Sequence, residues 1–285
     1  MPSQLTVLDH SRDSVAMRYV YPVISRRAGG VSIGINLNTD NACNWRCIYC
    51  QVPELKLGNA PAVDLSLLES ELRDFLHELL HGKFMQQRVP SEARRINDIA
   101  ISGNGEPTSA AEFLAVVELL VKVKIELSEL LPALKLVLIT NGSLIYRPAV
   151  QQALKILAQH NGEVWFKLDR ASEHGMLQVN STQIKLDKVR ENLATAIACC
   201  PNTWLQTCWF AVDGMAPTAQ DEADYLALLD SFSVAKLAPK GVLLYGLARE
   251  SYQPEAPRLS ALNEAQLEQF AERIRQLGFT VKISP

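Results

Sequence analysis

Cys43, Cys47 and Cys50 are spaced C-x3-C-x2-C. Three thiolates within eight residues can grip one soft metal centre, and iron–sulfur clusters take thiolate ligands. A cubane of four irons asks for four ligands, and this loop supplies three. Either one iron stays open to a small molecule, or a distant residue fills it. Structural zinc sites favour paired C-x2-C knuckles with further Cys or His ligands, and no second knuckle exists here. The bland alternative is three unligated thiols packed in a core. Buried free cysteine is common, but such clustering is unusual in a chain with only six cysteines.

Something must hold this loop, and the sequence around it alternates strand and helix. Val31–Asn36 alternates and is β-branched, so it reads as a strand running into the cysteines. Five further strands are expected at Asp98–Ser102, Lys135–Thr140, Glu163–Leu168, Trp204–Ala211 and Gly241–Tyr245, with a short final one at Phe279–Ile283. Helices are expected from Asp64 or Ser66 to Leu80, Ala110 to Leu131, Pro148 to Gln159, around Leu186–Ile197, between Thr218 and Phe232, and from Asn263 to Gly278. Asn263 with Gln266 has the form of a capping box. Strand–helix alternation repeated six times implies parallel strands with right-handed crossovers. The expected fold is α/β: an incomplete (βα)6 TIM-like barrel in a single domain over residues 1–285. Residues 1–30 form a lead-in, 31–246 the core, and 247–285 a loop, helix and short strand.

In such folds the site gathers at the strands' carboxyl ends. Five polar or Gly-rich segments fall there: the cysteine loop, Gly103-Asn104-Gly105-Glu106, Thr140–Ser143, Lys167–Asp169 and Asp213-Gly214. Two glycines let a backbone approach a ligand closely, and a glutamate can accept from an amino group. Cys199, Cys200 and Cys208 read as buried thiols, the first two at a helix end and the third inside a strand.

Two other motifs need weighing. His77-Glu78-Leu79-Leu80-His81 matches the zinc-peptidase H-E-x-x-H helix. Both histidines project roughly opposite the apolar stripe of Leu68, Leu72, Phe75, Leu76, Leu79 and Leu80, and the longer three-histidine form fails at Phe84 and Gln87. Arg26 and Arg27 could meet a carboxylate or phosphate by forked hydrogen bonds, or simply face solvent. The net charge of −3 and the absence of any 18-residue apolar run give no support to a broad nucleic-acid surface or a membrane span. The N-terminal residues lack the pattern of a signal peptide, and the cysteine usage suggests a reducing cytoplasm.

The cysteine motif, with Tyr49 at its aromatic position, resembles that of the radical S-adenosylmethionine superfamily. The likeness extends over Val31 to Tyr245. Ser25-Arg26-Arg27, the cysteine motif and Gly103-Asn104-Gly105-Glu106-Pro107-Thr108 resemble the iron–sulfur oxidoreductases related to wyosine-type tRNA modification enzymes. The resemblance implies a 4Fe–4S cluster on Cys43, Cys47 and Cys50, with S-adenosyl-L-methionine chelated at the open iron. It implies that Gly103, Gly105 and Glu106 hold the methionine amino end, and that Tyr49 lies by the adenine. It places Thr140, Asn141 and Ser143 near the ribose or carboxylate, Lys167, Asp169 and Gln206 around the site, and Tyr245 and Gly246 beside the adenine. An electron, from a donor such as flavodoxin or ferredoxin, would cleave the sulfonium to a 5′-deoxyadenosyl radical that abstracts hydrogen from substrate. A tRNA base, a peptide, a partner protein or a small metabolite all fit as that substrate. Two competing readings are an electron-transfer protein with a fully protein-ligated cluster, and a zinc hydrolase built on His77, Glu78 and His81.

Overall fold

The computed structural model describes residues 5–6, 15–25 and 29–284; Arg26 and Arg27 lie outside them. The chain runs β1 (Val20–Ser25), β2 (Gly30–Asn36), the two-residue strands β3 (Ala42–Cys43) and β4 (Lys56–Leu57), α1 (Leu65–His81), α2 (Phe84–Arg88), β5 (Ile96–Ser102), α3 (Phe113–Glu126), β6 (Lys135–Thr140), α4 (Pro148–Gln159), β7 (Glu163–Lys167), α5 (Glu173–Asn180), α6 (Leu186–Cys199), β8 (Thr203–Cys208), β9 (Phe210–Val212), α7 (Ala219–Val234), β10 (Gly241–Tyr245), β11 (Leu259–Ala261), α8 (Glu264–Gln276) and β12 (Thr280–Ser284).

One eight-stranded sheet has the order β1-β2-β5-β6-β7-β8-β10-β12. From β2 onward every pairing is parallel. The sheet curves into an open half-barrel with helices outside, the incomplete TIM-like architecture expected from the alternation. It also reaches past the span 31–246 at both ends. β1, read from sequence only as part of an extended lead-in, pairs antiparallel with β2, and β12 adds to β10. The hairpin partner was illegible because Val20–Ser25 carries a proline and no alternation.

The strand period of two sorts the residues. Val31, Ile33 and Ile35 on β2, Ile99 and Ile101 on β5, and Leu136 and Leu138 on β6 face outward into the core shared with the helices. Their neighbours face the barrel interior in matched register: Ser32 beside Asp98, Asn36 beside Ser102, Lys167 beside Gln206, Cys208 beside Tyr245. The inner wall therefore carries these polar groups among apolar ones such as Ala100, Ile139 and Trp165, and the outer wall is apolar.

Three other elements differ from expectation. The strand expected over Trp204–Ala211 breaks at Trp209, whose ring turns into the outer core and stacks on Phe270 at 4.2 Å; β9 then leaves the sheet to pair with β11. The helix expected from Ala110 starts at Phe113, because Pro107–Ser109 forms a tight 3-10 turn first, and it ends at Glu126. The helix α5 went unread, since its eight residues carry no apolar stripe.

The capping box is present in both directions: Asn263 Oδ1 accepts from Gln266 N at 2.9 Å, and Gln266 Oε1 accepts from Asn263 N at 3.0 Å. Asn263→Ala is expected to cost about 1 kcal/mol, read as a lower urea midpoint at an unchanged m value.

Candidate active site

The cysteine loop leaves β2 at the sheet's carboxyl edge and is tied down on several sides. Asn44 bridges to the end of β6: its Nδ2 donates to Ser143 Oγ at 2.8 Å and its Oδ1 accepts from Asn141 Nδ2 at 2.8 Å. Arg46 grips Glu255 through two hydrogen bonds of 2.8 and 2.7 Å. Ser251 Oγ donates to Ile48 O at 2.8 Å, Gln253 Nε2 to Val52 O at 3.0 Å, and Tyr252 N to Cys50 O at 2.9 Å. The Pro-containing segment Arg249–Leu259, read from sequence only as a loop, thus serves as a strap over the cysteine motif. Nothing local in its sequence signalled that role, because its partners lie some 200 positions away.

The Gly103–Glu106 turn packs directly beneath. Gly103 has φ +138°, and a Cβ on Gly105 would stand 2.0 Å from Ala42 O, next to Cys43. Glycine at 105 is therefore required by the cysteine loop itself. The carboxylate of Glu106 is 2 % exposed and turned inward. Its Oε1 accepts from Thr108 N at 3.1 Å, Thr108 Oγ1 at 2.5 Å and Thr140 Oγ1 at 2.7 Å; its Oε2 accepts from Asn141 N at 2.6 Å. Burial raises Glu106 above the ordinary carboxyl value, and these four donors oppose the shift. Glu106 joins the ends of β5 and β6.

These elements enclose a cavity of about 290 Å³ at the carboxyl ends of the strands. Cys43, Cys47 and Cys50 all line it. So do Tyr49, Gly103, Gly105, Glu106, Thr140 and Asn141. Lys167, Cys208, Tyr245 and Gly246 line the far wall. Three expected residues stand elsewhere. Ser143 lies behind Asn141, bound to it and to Asn44. Asp169 follows the end of β7 and is buried behind the lining residues Tyr49 and Cys208, its Oδ1 accepting from Cys208 N at 2.9 Å. Gln206 sits one pleat deeper than Cys208 on the same inner face. Asp213 and Gly214 form the turn after β9, where Asp213 pairs with Arg258 at 2.7 Å outside the cavity.

Tyr49 does not stand free in the opening. Its ring packs against Phe210 with centroids 5.2 Å apart, and its hydroxyl donates to Asp169 Oδ2 at 2.5 Å. The ammonium of Lys167 donates to the hydroxyls of Tyr49 and, at 3.3 Å, Tyr245. Burial alone would lower Lys167, but Asp169, 3.9 Å away, leads the anions that raise it well above the ordinary lysine value. Burial raises Tyr49 likewise, with Asp169 adding to the effect. Asn180, which sequence reasoning passed over, donates from Nδ2 to Cys47 Sγ at 3.2 Å and to Asp169 Oδ2 at 2.7 Å.

The donor set fits a cluster. Burial pushes Cys43 and Cys47 each up to about 12; charge on Cys47 and Cys50 adds to the rise at Cys43, and charge on Cys50 to that at Cys47. Thiolates in this place therefore call for a strong positive centre. Among the described residues no three His, Cys, Asp or Glu side chains converge on a single ion. The three loop thiols nevertheless line one cavity together. Asn104, which lines the cavity, has its Oδ1 buried without a hydrogen-bond partner. An amino group of a bound ligand would satisfy it. The H-E-x-x-H helix offers no rival: His77 and His81 are exposed, and Glu78 caps its own helix by accepting from Lys83 N at 3.0 Å and Phe84 N at 3.1 Å. Cys199 and Cys200 are buried away from the cavity, with Cys200 at the Gly162 carbonyl.

Comparisons with known proteins bear on the fold. No family model matches the chain. A UPF0026 protein of Helicobacter pylori is 32% identical over 135 residues, which is 47% of this chain and 38% of that protein. The chain thus covers well under half the length of the curated relative. Among solved structures, Streptococcus suis SuiB bound to precursor peptide SuiA superposes with a TM-score of 0.58 at 10% identity, covering 90% of this chain and 48% of SuiB. SuiB bound to S-adenosylmethionine gives 0.57 at 11% identity, covering 90% of this chain and 50% of SuiB. TYW1 with a lysine-pyruvate adduct bound gives 0.57 at 14% identity, covering 88% of this chain and 74% of TYW1. No described helix is long and apolar enough to cross a membrane. With its parallel half-barrel and cysteine loop at the carboxyl edge, the chain has the fold of the radical S-adenosylmethionine enzymes.

Proposed function

We propose that this chain is a radical S-adenosylmethionine enzyme carrying one 4Fe–4S cluster on Cys43, Cys47 and Cys50. The observation that supports it most is the meeting of three cysteines and a glycine-rich turn in one cavity at the strands' carboxyl ends. S-adenosylmethionine bound at the cluster supplies, on one-electron reduction, a 5′-deoxyadenosyl radical for hydrogen abstraction.

The protein's own part is binding, orientation and exclusion of water. The backbone of Gly103–Gly105 and the orphaned Asn104 Oδ1 receive the methionine amino end. Tyr245 and Gly246 flank the nucleoside from the end of β10. Thr140 and Asn141 approach it from β6, while Glu106 and Ser143 hold those residues in place. Lys167 holds its proton between Tyr49 and Tyr245 and presents a positive charge to the cavity. The strap at Ser251–Gln253 closes the loop's outer side against water. A small acidic redox carrier such as flavodoxin or ferredoxin delivers the electron. The substrate comes from the classes the resemblance implies: a tRNA base, a peptide, a partner protein or a small metabolite.

A second reading is favoured by one observation: Cys208 lines the same cavity as the three loop thiols. A fourth thiolate there would close the cluster and make this an electron-transfer protein. One experiment separates them. After anaerobic reconstitution and reduction with dithionite, S-adenosylmethionine is expected to change the electron paramagnetic resonance spectrum and to yield 5′-deoxyadenosine and methionine. A spectrum indifferent to S-adenosylmethionine, with no 5′-deoxyadenosine, would support the second reading and defeat the first.

A further inference from the structure

We infer that Asn180 raises the reduction potential of the cluster by hydrogen bonding to the sulfur of Cys47. This inference rests on the reading above, in which Cys47 is a cluster ligand. Asn180 is the last residue of α5 and is 1 % exposed. Its Nδ2 donates to Cys47 Sγ at 3.2 Å and to Asp169 Oδ2 at 2.7 Å. A carboxylate only accepts, as does a metal-bound thiolate, so the amide must present its NH2 group to both. The orientation is set by chemistry and not by the placement of amide atoms alone.

The surroundings hold this side chain still. Ser181 follows in the left-handed region at φ 49° and ends the helix, its N–H donating to Leu177 O at 3.1 Å. The backbone beside it is bolted to the cysteine loop, with Ile48 N donating to Val179 O at 2.9 Å. Asp169 is itself fixed by Tyr49 at 2.5 Å and by Cys208 N at 2.9 Å. Two hydrogens of one amide are thus committed, one of them to sulfur. The amide does more than fill space: a leucine has the same branched shape and the same number of side-chain heavy atoms, and would leave Asp169 and Cys47 without their donor.

One-electron reduction adds negative charge to a cluster and its thiolates. A donor on a ligand sulfur stabilises the more negative state more, so it moves the potential upward. Asn180 is a positioning and tuning residue: it touches the ligand sulfur and acts on the cluster through it.

The test is a potentiometric titration of the reconstituted chain, followed by electron paramagnetic resonance, in wild type, Asn180→Leu and Asn180→Asp. Asn180→Leu is expected to lower the equilibrium constant for reduction about tenfold, which for one electron is about 59 mV. Asn180→Asp, which replaces the donor with a charge, is expected to fall further. A purely structural role would weaken iron binding and leave the midpoint of the loaded fraction where it was; that result would overturn the inference. If both variants lose their iron, wild type labelled with 15N in asparagine side-chain amides decides instead. A weak coupling of side-chain nitrogen to the reduced cluster is the expected result, and its absence overturns the inference. A wild-type chain that binds no 4Fe–4S cluster overturns this inference and the proposed function together. A loaded wild type with an unshifted midpoint in Asn180→Leu overturns this one alone.

Discussion

Cys47→Ser is expected to abolish cluster assembly and, with it, formation of 5′-deoxyadenosine. Cys47 lies at the meeting point of the loop, α5 and β7, with Asn180 on its sulfur and Lys167 and Asp169 close enough to shift it. Serine offers a harder, shorter and less acidic donor, a poor match for iron that prefers thiolate. Changing a group that merely supports a metal ligand costs 10–100-fold, so losing the ligand itself should cost more than about 100-fold in product. Iron and sulfide per chain, and the visible charge-transfer absorption, should fall together. Cys199→Ser is the control, because Cys199 sits in α6 away from the cavity and should leave iron content unchanged. Equal iron in the two variants would defeat the assignment. Cluster assembly should also improve as pH rises, since burial holds Cys43 and Cys47 protonated up to about 12 and binding must release those protons.

Removing the Glu106 carboxylate is expected to give the largest loss of stability of any single change at the site. Glu106→Ala leaves two backbone N–H groups and two threonine hydroxyls without their acceptor in a buried setting. Each orphaned buried donor costs about 1–3 kcal/mol, with some recovered by local water, so a net loss of about 3 kcal/mol is expected in urea unfolding of the metal-free chain. Glu106→Gln keeps one carbonyl oxygen but turns an NH2 against donors, and should fall between. The pH dependence follows from burial, which raises Glu106 above its ordinary 4.5 despite the four donors. A carboxyl raised on folding binds its proton more tightly in the folded state. Its contribution to stability is therefore greatest below the unfolded value and declines as pH climbs through the folded one. Glu106→Ala should remove that decline. A variant as stable as wild type, with the same pH profile, would show that the junction of β5 and β6 does not depend on this carboxylate. The change should also weaken the cysteine loop, because Asn141, released from Glu106, holds Asn44 both directly and through Ser143.

Much of the site was legible because its signals are local. C-x3-C-x2-C needs only eight consecutive residues to be read, and Gly103-x-Gly105-Glu106 only four. Yet the reason for Gly105 was not legible. The sequence suggested a backbone close to a ligand, whereas its missing side chain makes room for Ala42 O in the cysteine loop. Glu106, expected to hold a ligand's amino end, lines the cavity and at the same time clamps two strands from a buried position. Tyr49, expected beside the adenine, lines the cavity within a hydrogen-bonded group with Asp169 and Lys167. In each case the residue type signals polarity, but which neighbour receives it depends on partners 34 to 120 positions away. The polar positions of the inner wall do leave a local trace: Ser32 and Asp98 interrupt strands whose alternate residues are apolar, and period-two counting puts them on one face.

The order of strands and helices, the outward apolar stripes, the capping box at Asn263 and the three-thiol loop follow from the sequence, because each depends on spacing within a few residues. The hairpin of β1 with β2, the strap from Ser251 to Gln253, and the chain from Cys47 through Asn180 and Asp169 to Tyr49 and Lys167 were decided only by the tertiary structure. Hydrogen bonds between distant segments leave no periodic trace in a sequence; they exist only once curvature of the parallel sheet brings its strand ends around one cavity.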